Sequence, residues 1–332
     1  MTTRQAGLAL VLGAATALGT APAPAAQQAA MMLPATCDRP CLLKLADDYL
    51  AALVAHDSSR VPLASDARIV EQAKRIRAGE GLWKMASGGP TAFKLIAADA
   101  EAQQVAGIVM MQSDGKPAQV GFRLKLANGR ITEAEHLLAF PREQFLGNLQ
   151  TLRPGLLLEV PFEYADSRGR MIHIAKSYYD ALDNNNGHLA PFAPDCERRE
   201  NGMRTAPNGG VLAGAPVPGQ PPRPPSLAGL QDCASQLDSG TFKYIDRIDN
   251  RRVEIADTVT GLAVGFSHFR HPMRAEEREY PIYGDPGRAK TTMNFAPFDL
   301  PAMHIYKIWG GQIHEIEAIG FQAPLDSPSG WE

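Results

Sequence analysis

The sequence predicts an α+β protein in which one folding unit is used twice. Three observations lead there. Residues 45–72 reappear without a gap as residues 174–201, a constant offset of 129, which aligns Tyr49 with Tyr178, Leu53 with Leu182 and Glu71 with Glu200. A second echo pairs Gly129–Glu135 with Gly311–Glu317 at an offset of 182, so the halves begin and end alike. Within each half, helical periodicity comes first and a run of short strands with turn signals follows, which is an α+β order. Two copies of this length are too few for a solenoid, and a duplicated compact domain remains.

The elements follow in chain order. Arg4, an apolar run from Ala6 to Leu18 and the small residues Ala21 to Ala26 read as a signal peptide over residues 1–26. The first domain spans residues 35–141. Leu42, Leu45, Ala46, Tyr49, Leu50 and Leu53 form a helical stripe with Tyr49 facing inward. A Pro-containing turn precedes a second expected helix over residues 67–78, and strands are expected at 92–97, 105–112, 119–126 and 131–140. Residues 142–169 join the copies. The second domain, 170–323, repeats the order: a helix over 170–182, a short helix around 196–201, then strands at 253–257, 261–269, 303–309 and 312–321. Its Pro- and Gly-rich stretch, residues 202–230, reads as an inserted surface loop.

Composition narrows the function. A formal net charge of −3 gives no general attraction to nucleic acid or anionic lipid. No later segment reaches the roughly 18 uninterrupted apolar residues of a membrane helix, so the expected product is an exported protein, periplasmic or secreted, with a small organic partner. Cys37, Cys41, Cys196 and Cys233 all lie beyond the leader, where an even count implies disulfides. Of three connectivities, Cys37 with Cys41 and Cys196 with Cys233 keeps each bridge inside one copy. The spacing suits no zinc site, and no phosphate loop, serine elbow or His-Glu-x-x-His motif occurs. Neither a metal nor a cofactor is expected.

The inward Tyr, the Pro-x-Ala-x-Asp element, Gly81-Leu82-Trp83, the meander and the closing Gly-x-Ile-x-Glu-x-Glu strand together resemble the nuclear transport factor 2-like superfamily, which includes ketosteroid isomerases and polyketide cyclases. Cys37-Asp38-Arg39, Asp195 to Gly202, Tyr244 to Arg247 and Phe269 to Pro272 resemble an exported group of unknown function within it. The resemblance implies cystatin-like cones, each a curved sheet wrapped around a long helix with a ligand in its mouth. It also implies pairing through outer sheet faces, which a tandem chain can satisfy internally as a monomeric pseudo-dimer.

Candidate site residues follow from the expected elements. Alternation on the last strands puts Thr132, Ala134 and His136, and in the second copy His314, Ile316 and Ala318, on the inner face. His136 and His314 are then pocket groups or hydrogen-bonded core histidines. Glu133, Glu135, Glu315 and Glu317 face the other way, as solvent or inter-repeat charges. The charge cluster from Asp195 to Glu200 has a much less charged counterpart in the first copy, which points to the second copy as the working one. Arg199 is a candidate for binding a carboxylate or enolate oxygen and Glu200 for orienting it. Tyr178 and Tyr244 are candidate oxyanion donors, with Asp246 or His271 as base; His268 lies on the opposite strand face from His271. The expected activity is cofactor-independent proton transfer on a carbonyl or alcohol, by an isomerase, dehydratase, cyclase or lyase. A non-catalytic binding or scaffolding module is the alternative.

Overall fold

The computed structural model describes residues 1–2, 33–207, 231–284 and 289–332. All but the first two residues of the expected leader and all but the first six of the 202–230 loop therefore lie outside the described residues.

Helix α1 (Arg39–Val54) begins where the Asp38 side chain accepts the Cys41 N–H and Pro40 occupies the first turn. Its apolar stripe, Tyr49 included, is buried. Around it lie β1 (Leu63–Glu71), β2 (Lys74–Ile76), the one-turn α2 (Leu82–Met85), β3 (Ala86–Gly88), β4 (Lys94–Asp99), β5 (Gln104–Ser113), β6 (Lys116–Ala127) and β7 (Arg130–Ala139). The sheet runs β2-β1-β7-β6-β5-β3, with β4 also paired to β5.

After a linker carrying α3 (Pro154–Leu157), α4 (Arg168–Asp183) starts at a Ser167 cap and repeats the design. It is followed by β8 (Phe192–Glu200), β9 (Met203–Ala206), α5 (Cys233–Asp238), β10 (Arg247–Asp257), β11 (Leu262–His271), α6 (Ala275–Arg278), β12 (Glu279–Pro281), β13 (Lys290–Thr292), β14 (Phe298–Trp309) and β15 (Gln312–Gly320). The second sheet runs β10-β11-β14-β15-β8-β9. Each curled sheet closes over its own helix, so the chain is two cones in tandem. Gly265 on β11 allows this closeness: a Cβ there would meet the Tyr179 hydroxyl at 2.5 Å. The disulfides join Cys37 to Cys41 and Cys196 to Cys233.

Two expected helices are strands. Residues 67–78 and 196–201 have a helix-like apolar spacing, yet the chain is extended there because the edge of the last strand offers a hydrogen-bonding partner. β1 runs parallel to β7, with Ile69 opposite Ala134, and β8 runs parallel to β15, with Arg198 opposite Ile316. Non-local pairing overrides a weak local preference. Left-handed Gln72 and Ala73 then turn the chain back into β2.

The same bulge recurs in both copies. Leu126 faces Ile131 while Lys125 faces Glu133, leaving Thr132 as the extra residue; Ile308 faces Ile313 while Lys307 faces Glu315, leaving His314 as the extra one.

The outer faces of the two sheets pack on each other inside the chain. Phe93, Ile108 and Met110 of the first copy share one apolar layer with Phe266, Met303 and Ile305 of the second. Burying side chains of this size stabilises by about 1.5–3 kcal/mol each. Glu135, on the outer face, is bound by Arg123 of its own sheet and by Arg252 of the other copy.

Candidate functional site

In a strand, successive side chains point to opposite faces. Because β8 is a strand, Arg198 and Glu200 face α4, and Asp195, Glu197 and Arg199 face away. The Arg198 guanidinium is fixed on the inner face. It donates to Thr205 Oγ1 at 2.8 Å and to the Gln236 side-chain oxygen, lies 4.9 Å over the Phe242 ring, and approaches the Tyr178 hydroxyl at 3.4 Å. Burial pushes the Glu200 carboxyl above its usual range, with Arg198 opposing the shift. Among the described residues its side chain makes no hydrogen bond. Burial also raises the Tyr178 phenol, and burial followed by the Glu200 charge raises that of Tyr244.

The Tyr244 ring lies 5.4 Å from His271, which stacks on Phe298 at 4.3 Å. His271 is only 2% exposed, and burial lowers its imidazole to about 4. His268 faces the junction between the cones beside Phe266 and Glu135.

The first cone carries polar groups of its own, which corrects the expectation that only the second copy would. Tyr49 Oη lies 2.9 Å from His136 Nε2, and His136 Nδ1 lies 3.0 Å from Glu71 Oε2. That same carboxylate oxygen accepts the Leu82 N–H at 2.9 Å. All three side chains are buried, so this relay is sealed. The strand registers superimpose the copies residue for residue. Glu71 lies opposite His136, whereas Glu200 lies opposite Ala318. The second cone keeps the tyrosine and the carboxyl but lacks the imidazole between them, and Arg198 stands where the first cone has Ile69.

Two candidate residues are not where the sequence puts them, and a third, Asp246, is tied up in ion pairs. Arg199 is on the outer face, donating to Glu197 Oε1 at 2.6 Å and to the Asn148 carbonyl at 3.4 Å, because the expected helix is a strand. Asp246 binds Arg247 at 2.8 Å and also Arg274; the Arg274 hydrogen bond holds its carboxyl below the usual range, which makes it a poor base. His314 leaves the inner face because it is the extra residue of the bulge. It stacks on Trp309 at 3.6 Å and shares a 2.8 Å hydrogen bond with Asp195.

Arg199 and His314 instead meet at a cavity of about 840 Å3 between the linker and the outer side of the second sheet, whose walls include Tyr164, Asp195, Glu197 and Trp309. The four candidates His271, Asp246, Tyr244 and Arg199 do not converge. Tyr178, Tyr244 and Glu200 do, around Arg198, which sequence reasoning missed. A period-two reading of Phe192, Cys196, Arg198 and Glu200 is the signal that finds it.

A family model described as a domain of unknown function (DUF8021) matches residues 164–320. A search of curated proteins returns no match. Among solved structures, the chain is similar to AclR, a candidate hydroxylase from Streptomyces galilaeus, at 16% identity and a TM-score of 0.24 over 38% of this chain and 92% of that one. It is also similar to IdmH, a candidate polyketide cyclase from Streptomyces antibioticus, at 13% identity and a TM-score of 0.25 over 45% of this chain and 91% of that one. Likenesses this distant transfer no chemistry.

Proposed function

We propose that this chain is an exported tandem protein of the nuclear transport factor 2-like superfamily whose second cone binds a small organic molecule and moves a proton on it without a cofactor. One observation carries the reading. Glu71 in the first cone is closed off by His136, while Glu200 in the second faces Ala318, has its carboxyl raised by burial and shares its surroundings with a fixed guanidinium and two phenols. A carboxyl raised by burial beside oxyanion donors is the equipment of a general acid–base site.

In this reading Arg198 and Tyr178 donate to a carbonyl oxygen, and Glu200 removes a proton from the adjacent carbon. The negative charge that develops on the oxygen is met by those two donors. The protonated Glu200 then returns its proton to another carbon, giving isomerisation, or to a departing hydroxyl, giving dehydration and water. Tyr244 and His271 form the aromatic wall beside it. Arg199, Asp246, His314 and His136 take no part. The disulfides suit an oxidising compartment, and no helix among the described residues is long and apolar enough to cross a membrane.

A second reading, ligand binding without chemistry, is favoured by the 2% exposure of both Tyr178 and His271. Turnover separates the two. Mass spectrometry of the purified protein identifies bound compounds, and β-hydroxy ketones, β-diketones and cyclic enones are then screened for turnover. Glu200→Gln is expected to keep binding and to lower kcat by roughly 100-fold or more. Turnover unchanged in Glu200→Gln removes the acid–base assignment, and binding with no turnover of any compound favours the module.

A further inference from the structure

The cavity of about 840 Å3 beside the linker lies on the opposite side of the second sheet from Arg198 and Glu200, and the proposed chemistry leaves it unused. Its size is that of a small-molecule site. Its walls combine ring surface with ionic groups whose cations are already paired. Trp309 is half-buried with His314 stacked on it at 3.6 Å, and Tyr164 meets its edge at 5.8 Å.

Every cation in the walls has a partner. Arg153 binds Glu315 and Glu317, Arg199 binds Glu197, and Lys307 donates to the Leu158 and Thr260 carbonyls. An anionic ligand would have to take one of these cations from its partner and leave that partner uncompensated, which is costly in a partly buried site. A neutral ligand can use the lone pairs and N–H groups that the pairs leave over, among them the second oxygen of Asp195 and the carboxylate of Glu159. Planar carboxylate and guanidinium groups side by side suit adjacent hydroxyls, which both donate and accept. The ring surfaces and the nearby Val160 and Pro161 suit the C–H face of the same molecule.

We propose that this groove is a saccharide-binding site for neutral, polyhydroxylated rings, separate from the interior of the second cone. Tyr164 and Trp309 form the platform, and Asp195, positioned by His314, is a hydroxyl acceptor. The Asp195 side chain is 68% exposed and Tyr164 51% exposed, so replacing either leaves the core intact.

The experiment is calorimetric titration of the full chain with glucose, galactose, mannose, xylose, N-acetylglucosamine and their disaccharides, followed by Tyr164→Ala and Asp195→Ala. The expected result is saturable heat with at least one of these sugars, weakened tenfold or more in both variants while their melting temperatures match the parent. Absence of saturable binding to every sugar overturns the proposal, as does binding that neither substitution alters. Preferential binding of sulfated or carboxylated sugars, or of an uncharged peptide in their place, overturns the ligand class.

Discussion

Asp99 and Asp257 make the same pair of contacts in opposite directions across the junction of the two cones. Asp99 accepts the Ala256 N–H at 2.9 Å and Arg168 Nε at 2.8 Å; Asp257 accepts the Ala98 N–H at 3.3 Å and Arg39 Nε at 2.9 Å. Arg39 and Arg168 each open the long helix of their copy, so each helix start reaches the strand end of the other cone. This is the reciprocity of a two-fold dimer interface written into one chain.

Removing either carboxylate leaves a buried amide without its acceptor and takes the ion pair from a partly exposed guanidinium, although Arg168 keeps the Glu254 carbonyl at 2.7 Å. Asp99→Ala and Asp257→Ala are each expected to lower stability by about 2–4 kcal/mol, with Asp99→Ala the milder because Arg168 keeps the Glu254 carbonyl. Urea denaturation measures both. A loss below about 1 kcal/mol in either would show that the apolar layer alone joins the cones.

Neighbours on β8 are expected to behave oppositely. Arg198→Met removes the support of Thr205, Gln236 and Tyr178 on a buried face, so it is expected to abolish ligand binding in the cone and to cost about 2–4 kcal/mol. Arg199→Met replaces a partly exposed partner of Glu197 and is expected to cost under about 1 kcal/mol with cone binding intact. If Arg199 proves the more damaging position, the inner-face assignment fails.

That contrast also marks how far the sequence was legible. The duplication, the long helices and the meander strands are written in local periodicity, and the offsets align Glu71 with Glu200 correctly. The first strand of each cone is not locally written. Ile69, Val70, Ala73 and Ile76 are spaced as a helix face would be, and only the unpaired edge of β7 makes them extended. In the second copy the same misreading put Arg199 inside in place of Arg198. The bulge at His314 is equally invisible, because it arises from register against two neighbouring strands.

Acid stability depends on groups of opposite sign. Burial lowers His268 and His271 to about 4 and His304 to about 3, from 6.5. Their depressed folded values favour the native state at neutral pH, and that contribution is lost as pH falls through 6.5 toward 4. Glu317 runs the other way. Burial raises it from 4.5 to about 7, so its contribution grows as pH falls from 7 to 4.5. The three histidines outweigh the two carboxyls that burial raises, Glu317 and Glu200, and stability is expected to drop below about pH 6. Glu317→Gln removes one of the opposing groups and steepens that drop, which thermal unfolding across pH measures. Parallel curves for the two proteins rule out this role for Glu317.

The sealed relay of the first cone predicts a chemical rescue. His136→Ala deletes the group that links Tyr49 to Glu71, leaving a buried hydroxyl and a buried carboxylate oxygen each short of a partner, with a gap between them. The combined loss is expected to be about 3–5 kcal/mol. The gap has the shape of an imidazole ring, with hydrogen-bonding groups at the two places where its nitrogens sit. Free imidazole should therefore bind the folded variant and not its unfolded chain, raising the melting temperature with concentration as mass action requires. The parent, whose position is already filled, should not respond. The second cone offers the matching control: Ala318→His sets an imidazole beside Tyr178 and Glu200, and its steric conflict with Arg198 is expected to cost about 1–3 kcal/mol. If imidazole stabilises His136→Ala and the parent equally, the effect is one of solvent and the relay is not a replaceable unit.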